Sequence, residues 1–542
     1  MKQVNKGYLA GFLAVLTALL GGVALAKGGI YIGKHEGDTL HLLQIVLRMA
    51  NGEWPHLNFH TPIGALAVAP IAGFVRAGLG VGMAFLAAQV LVAALLLPAI
   101  WYVAWSRFRG LSAYAFGAMV LILLLALVHA ESDPIVSVSM HYNRWSWAIA
   151  FLVIAVAMLE AQEQTRGGDW LEGVIIGLGF AALALIKVTY LVGFAPGVLV
   201  LLISRRAWSV LAIAVLSGMA VAIGVALFAG IGFWLAYAND VMAVSGSKIR
   251  PNPGLPFAMV VGAPAYMAAS VAALLPVVLL RQGGRAREGL ALLLLAGGFF
   301  FVTYQNFAND PQWLGLLGLI LWQVAPEEGR VNAWGWNLRQ ATRLTALAAL
   351  VMAMPSLINL AYSPFRHALV DVAKYTPLLP GSGANEDLQT LKARAGKVVG
   401  QVALDGPGTP YAPYTDASQR DMVEVTFQGE TLPICDIKIS VVSWYSAMAA
   451  DLRASGLEAG KTVFSADMLS AFWLYGAFEP LPGASPWYYG GLDGWENADY
   501  LIVPLCPQTG YVRKLILEDV TALGTPLREV RRNQMFILYE KT

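Results

Sequence analysis

Residues 33–64 read GKHEGDTLHLLQIVLRMANGEWPHLNFHTPIG. They follow an apolar run, residues 8–26, of the length needed to cross a bilayer. The stretch holds four histidines (His35, His41, His56, His60) and three carboxylates (Glu36, Asp38, Glu53), in a chain only 13% charged. Ionisable groups beside lipid are costly unless something satisfies them, so their position carries information. After Asp38, the residues Leu40, Leu43, Leu47 and Ala50 recur at helical spacing, with Gln44 and Arg48 between them. Gly52 and Pro55 break the pattern. A short amphipathic helix lying along the membrane surface is expected, with Asp38 at its N-terminal end. The free backbone N–H groups there stabilise a carboxylate. From this pattern alone Asp38 is open to two roles, helix cap or catalytic group.

The rest of the chain makes a membrane setting necessary. Of 542 residues 57% are hydrophobic, and mean hydropathy is +0.61. A soluble fold of this size cannot bury that much apolar surface. The net charge of +2 points to no nucleic-acid partner. Spans are expected near 8–26, 80–104, 112–130, 146–160, 171–188, 190–204, 208–231, 257–280, 289–304, 313–325 and 343–361, about eleven in all. The 190–204 and 313–325 segments are short enough to be tilted or broken. Segment 62–78 is apolar but carries Pro62, Pro70 and three glycines, and is expected to dip into the membrane or lie at its interface. The N-terminus resembles a signal peptide, with Lys2 and Lys6 before an apolar run; an uncleaved first span is expected, since many spans follow.

Charge orients these spans. With the N-terminus cytoplasmic, the cytoplasmic turns carry WSRFRG (105–110), Arg166, SRRAW (204–208), RQGGRARE (281–288) and the 327–343 loop, which hold most of the loop arginines. The opposite loops are richer in His, Asn, Asp and Tyr. An odd number of spans places residues 362–542 outside the cytoplasm. That region is expected to form a soluble α/β domain: strands at 461–467, 498–506 and 535–540, a helix over LSAFWLYG and an amphipathic helix at 513–524. Residues 1–361, with outer loop 27–64, form the membrane domain. The two cysteines, Cys435 and Cys506, both lie in the outer domain and are expected to form a disulfide. No internal repeat, Walker motif or Rossmann fingerprint is present.

The run from Asp38 to Gly64 resembles the first outer loop of the GT-C membrane glycosyltransferases, which include protein O-mannosyltransferases and lipid A aminoarabinose transferases. Family members show an acidic residue, a helix with a basic residue near its end, then G-[ED]-x-P-x-x-[DN]-F and a Pro-x-Gly or Pro-Leu pair. Asp38, Arg48, Gly52, Glu53, Pro55, Asn58, Phe59, Pro62 and Gly64 fall on that pattern. Thr39 stands where many members have a second carboxylate, and Glu36 is the candidate to replace it. The resemblance implies transfer of a sugar from a polyprenyl-phosphate donor to a glycan, lipid or protein acceptor on the extracytoplasmic face of a cell membrane, bacterial inner membrane by expectation.

Such a transfer needs a base for the acceptor and cations for the departing phosphate. Asp38 and Glu36 are the catalytic candidates. Lys187, at an outer span end, resembles the basic residue that family members keep near the lipid phosphate, and equally suits a lysine that snorkels to the interface. Arg144, Lys248 and Arg250 are further donor-phosphate candidates, and Arg144 also suits an interfacial anchor beside Trp145 and Trp147. His35, His41, His56, Asn58 and His60 are candidates for substrate contact. The histidines with Glu36 and Asp38 are of the type that binds a divalent metal such as Zn²⁺, but their spacing matches no compact zinc motif, and no metal site or certain cofactor is assigned. ESDP (131–134) offers a further carboxylate from the next outer loop, while Asp133, before Pro134, equally suits a cap. Two other functions compete: a transporter or flippase-type protein with the polar cluster as its vestibule, and a catalytically silent GT-C-like subunit marked by Thr39.

Overall fold

The computed structural model describes residues 4–129, 133–163, 167–247, 249, 264–305, 310–406, 408–416 and 422–542. The helices of the N-terminal two thirds are α1 (Lys6–Ala26), α2 (Glu36–Ala50), α3 (Ala69–Arg76), α4 (Val81–Arg107), α5 (Leu111–Leu125), α6 (His141–Met158), α7 (Gly168–Ile186), α8 (Val188–Ser204), α9 (Trp208–Ala229), α10 (Gly232–Ser245), α11 (Pro264–Gln282), α12 (Ala286–Gln305), α13 (Trp313–Val324) and α14 (Leu338–Ala368). Among the described residues, six helices are long and apolar enough to cross a membrane: α1, α4, α7, α9, α12 and α14. Four shorter apolar helices, α5, α8, α11 and α13, stand with them. Each expected apolar stretch is matched by a helix, although part of 257–280 lies outside the described residues. The expected dip at 62–78 is a 3₁₀ turn, Ala65–Ala67, followed by the eight-residue α3.

α6 explains how so polar a sequence as HYNRW opens a helix of the bundle. All of its residues except Tyr142 are buried, so it faces protein on every side rather than lipid. α7 and α9 pack closely because of glycine. A Cβ on Gly177 would collide with Ala214 and Ser217, and one on Gly173 with Val210 and Ile213.

The two ends of the bundle differ in chemistry. At one end Lys6 lies 3.9 Å from the Trp105 ring, Arg107 pairs with Glu172 at 2.5 Å, Arg205 donates to Ala157 O, and Arg339 reaches Glu328. At the other end lie Lys34–Asp133, Asp38–Ser139, Lys187–Asn143 and the contacts of Asp240. The arginine-rich loops and the His/Asp-rich loops therefore separate in space as charge bias suggested.

The C-terminal region covers the polar end. Its strands are β2 (Tyr375–Pro377), β3 (Leu388–Leu391), β4 (Val399–Val402), β5 (Val425–Phe427), β6 (Glu430–Leu432), β7 (Cys435–Ile439), β8 (Val463–Ser465), β9 (Tyr500–Pro504), β10 (Leu527–Arg532) and β11 (Phe536–Lys541). The larger sheet runs β10-β11-β9-β8, with β8 and β9 parallel. Two helices pack with it, α16 (Val441–Ser455) and α17 (Gly510–Leu523), and a single turn, α15 (Lys392–Ala395), lies between β3 and β4. Cys435 and Cys506 are disulfide-bonded, with Cα atoms 5.1 Å apart. The helix expected over LSAFWLYG is only a 3₁₀ turn, Phe472–Tyr475, and helix α16 was not anticipated.

One strand crosses between the regions. β1 (Ile30–Ile32), just after the first long helix, pairs in parallel with β3 of the C-terminal region. This corrects the expected setting of α2. Its residues Glu36, Leu40, His41, Leu43, Gln44, Val46 and Arg48 are all buried, so α2 is not a helix floating on a lipid surface. Its polar positions are covered by residues remote in sequence: Gln44 donates to Pro486 O at 3.2 Å and accepts from Trp473 Nε1 at 3.1 Å. Arg48 donates to Glu53 and to Leu481 O.

Candidate active site

The loop from β1 into α2 makes a left-handed step at His35 (φ 63°), which is the cap residue of α2. Thr39 closes the first turn through its N–H and hydroxyl, both donating to His35 O. Asp38 thus sits within the first turn rather than at the cap, and the cap reading is corrected. Its half-buried carboxylate accepts from Ser139 Oγ at 3.0 Å. Ser139 and Ser137 belong to the segment before α6, which lies alongside residues 33–38: Gly33 N–H donates to Val136 O, and His35 Nδ1 is 3.0 Å from Ser137 Oγ. The His35 ring lies 4.7 Å from that of His129. Lys34 holds Asp133 at 2.6 Å; Asp133 also accepts from Ile135 N–H, so it does stabilise its local turn.

Glu36 is not available as a second catalytic carboxylate. Arg394 grips it with two bonds, 2.5 Å and 2.8 Å, and Thr390 Oγ1 donates at 3.1 Å. Burial alone would raise the Glu36 pKa, but the Arg394 guanidinium outweighs it and holds the carboxyl below its usual range. The pair ties the first turn of α2 to the C-terminal region.

Lys187 occupies a break. It is the one residue between α7 and α8 and is extended, with φ −156°. Its Nζ donates to Asn143 Oδ1 at 2.9 Å and lies 5.5 Å from the centre of the Tyr142 ring. The outer loop packs against this break: Gly64 N–H donates to Ile186 O, and a side chain on Gly64 would strike the Leu185 carbonyl. His141 Nε2 lies 2.9 Å from Ala67 O and fixes the next turn of the same loop. Asp38 and Lys187 are therefore both held by the start of α6, through Ser139 and Asn143.

Arg144 does not belong to this group. It is completely buried and donates to the carbonyls of Val128 and Ala126. Those bonds hold the α5–α6 connection, and the expected phosphate contact is corrected accordingly. Lys248 and Arg250 lie outside the described residues.

Two of the remaining candidates, His56 and His60, gather around a residue that sequence reasoning missed. Asp240, near the end of α10 in YANDVMAVS, is buried. Its Oδ2 lies 2.8 Å from His56 Nδ1 and accepts Thr61 N–H at 3.0 Å, while its Oδ1 lies 2.7 Å from His60 Nδ1. The polar composition of that stretch was the available signal, but 232–245 forms a helix rather than an open loop. His41 packs against Trp487, 5.5 Å between rings. Asn58 is a turn residue whose Oδ1 accepts Trp54 N–H and whose carbonyl accepts Gly483 N–H. Among the described residues no three His, Cys, Asp or Glu side chains form a group suited to a metal ion.

The Asp240 carboxylate raises the His60 pKa above its ordinary 6.5, against the opposing effect of burial. Burial would raise Asp240 in turn, but His56, His60 and the Thr61 N–H outweigh it and hold its pKa low. A raised histidine pKa contributes stability that is complete below the unfolded value of 6.5 and is lost as pH rises through the folded value. Hydrogen exchange across residues 58–61, corrected for intrinsic rates, should accelerate from about pH 6 to pH 8.5. In His60→Gln that pH dependence should disappear.

No protein-family model matches the chain, and no curated protein does. Among solved structures, it is similar to "Crystal Structure of ArnT from Cupriavidus metallidurans in the apo state", at 10% identity, over 98% of this chain and 97% of that one, with a TM-score of 0.35. A likeness at that score carries no argument about fold or function.

Proposed function

We propose that this protein is a GT-C-type membrane glycosyltransferase that takes a sugar from a polyprenyl-phosphate donor. The observation that carries this reading is that Asp38 and Lys187 are held four positions apart in the chain, by Ser139 just before α6 and by Asn143 in its first turn, at the His/Asp-rich end of an apolar helical bundle. The resemblance of residues 38–64 to the family's outer loop supports it independently.

The chemistry follows from the two charges. The acceptor hydroxyl attacks the anomeric carbon, the bond from that carbon to the phosphate oxygen breaks, and Asp38 takes the hydroxyl proton. The phosphate leaves with an additional negative charge, which Lys187 stabilises. Asn143 orients the ammonium and Ser139 the carboxylate. The donor tail stays in lipid while its head group enters from the side, and transfer takes place on the extracytoplasmic face. The transporter reading asks for ionisable groups paired on both sides of the bundle's middle; the ion pairs of the described residues lie at helix ends instead.

Lys187→Met tests the donor half. Removing the ammonium from a charge-assisted contact should weaken binding of a polyprenyl phosphate about tenfold or more. The thermal unfolding midpoint should change little. Unchanged affinity in a well-folded variant would leave Lys187 as an interfacial lysine only.

A further inference from the structure

Lys187 stands in a gap between two helices, so its backbone must be fixed by something outside them. A helix end leaves its last carbonyls without helical partners, and α7 ends one residue before Lys187. Two of those carbonyls are taken by other parts of the fold. The Tyr237 hydroxyl donates to Ala184 O at 2.6 Å, and Gly64 N–H donates to Ile186 O at 3.2 Å. Tyr237 belongs to α10, and Gly64 to the outer loop.

α10 also holds that loop. Asp240 follows Tyr237 by three residues, which places both on one face of the helix. Its two oxygens meet His56, His60 and the Thr61 N–H, so its acceptor capacity is committed to the loop rather than to a substrate. The His56 ring lies 4.4 Å from the Tyr237 ring and joins the two contacts. Trp234 Nε1 donates to Ala222 O and fixes α10 to α9, which itself packs on α7 through Gly173 and Gly177. One short helix therefore grips the end of α7 with Tyr237 and the loop that closes on the same end with Asp240.

We propose that Asp240 is a positioning residue for Lys187: by docking the outer loop against the end of α7, it fixes the point from which the ammonium meets the donor phosphate. That the ammonium serves a phosphate rests on the glycosyltransferase reading; the docking itself does not. The test uses the full-length protein in nanodiscs, with undecaprenyl phosphate as the probe. In Asp240→Asn one acceptor oxygen becomes an N–H donor, so the contacts to His56, His60 and Thr61 cannot all be kept. Hydrogen exchange of the peptide covering residues 184–190 should then quicken about tenfold, the worth of one charge-assisted hydrogen bond. Affinity for undecaprenyl phosphate, read by native mass spectrometry, should fall about threefold to tenfold. Gly64→Ala, which presses a methyl group against Leu185 O and leaves Asp240 intact, should do the same. With Lys187→Met in place, neither substitution should weaken binding further, because both act through the ammonium. Wild-type exchange at 184–190 in Asp240→Asn, or an equal loss of affinity whether or not Lys187 is present, overturns the proposal. Should Asp240→Asn not fold, Gly64→Ala decides by the same two readings. If Lys187→Met leaves affinity unchanged while Asp240→Asn quickens exchange, the docking holds and the glycosyltransferase reading fails. If Lys187→Met weakens binding and Asp240→Asn does not, the positioning role alone fails.

Discussion

Asp38→Asn should reduce sugar transfer by about 10²-fold or more, the usual worth of a positioned general base. The variant is chosen for what it keeps. Asn is close to Asp in shape, and its amide oxygen can still accept from Ser139 Oγ, which now bonds the carboxylate at 3.0 Å. What it loses is the ability to take a proton. The negative charge in the first turn of α2 also favours the helix, by about 0.3–1 kcal/mol, so only a small loss of stability should accompany the change. The assay is transfer by protein reconstituted with a membrane extract containing labelled polyprenyl-phosphate sugars. Thermal unfolding run in parallel separates loss of the base from loss of the fold. An Asn variant with full activity would remove Asp38 from the mechanism, and the Ser139 contact would then be structural.

The second large effect concerns stability. Cys435 begins β7, and Cys506 follows β9, 71 residues later. Cross-linking a loop of that length lowers the entropy of the unfolded chain by an amount worth about 4 kcal/mol in the chain-entropy model. Each cysteine stands beside a structural element the C-terminal region depends on: β7 pairs with β4, and β9 is flanked by β8 and β11. Cys435→Ser with Cys506→Ser should therefore lower the unfolding midpoint of this region by many degrees and make it protease-sensitive. The membrane helices, held by their own packing, should resist cleavage. A double variant with an unchanged midpoint would mean that the bond contributes little.

What could be read in advance divides along a physical line. Long apolar runs announce α1, α4, α9 and α14, because lipid requires each span to satisfy its own backbone. The separation of arginine from histidine and aspartate is legible for a related reason, since loop composition records which side of the membrane a loop meets. The surroundings of α2 were not legible. Its pattern is that of a half-exposed helix, and only tertiary structure reveals that residues 473–486 cover the exposed half. Glu36 was misread for the same reason: its partner Arg394 lies 358 positions away, beyond any local pattern. Asp240 was missed because α10 has no motif to set its aspartate apart from the polar residues around it. Arg144 was read as an outer-surface cation, whereas the α5–α6 connection turns inward and buries it against the Ala126 and Val128 carbonyls.

The pairing of Asp38 with Lys187 across the start of α6 is tested most directly by a cryo-electron-microscopy structure of the protein in nanodiscs with a polyprenyl phosphate. The phosphate should lie within hydrogen-bond reach of Lys187 Nζ, about 3 Å, with Asp38 on the other side of the sugar position. A phosphate bound at the arginine-rich end, or one at the polar end out of reach of Lys187 with Asp38 facing away, would contradict the assignment.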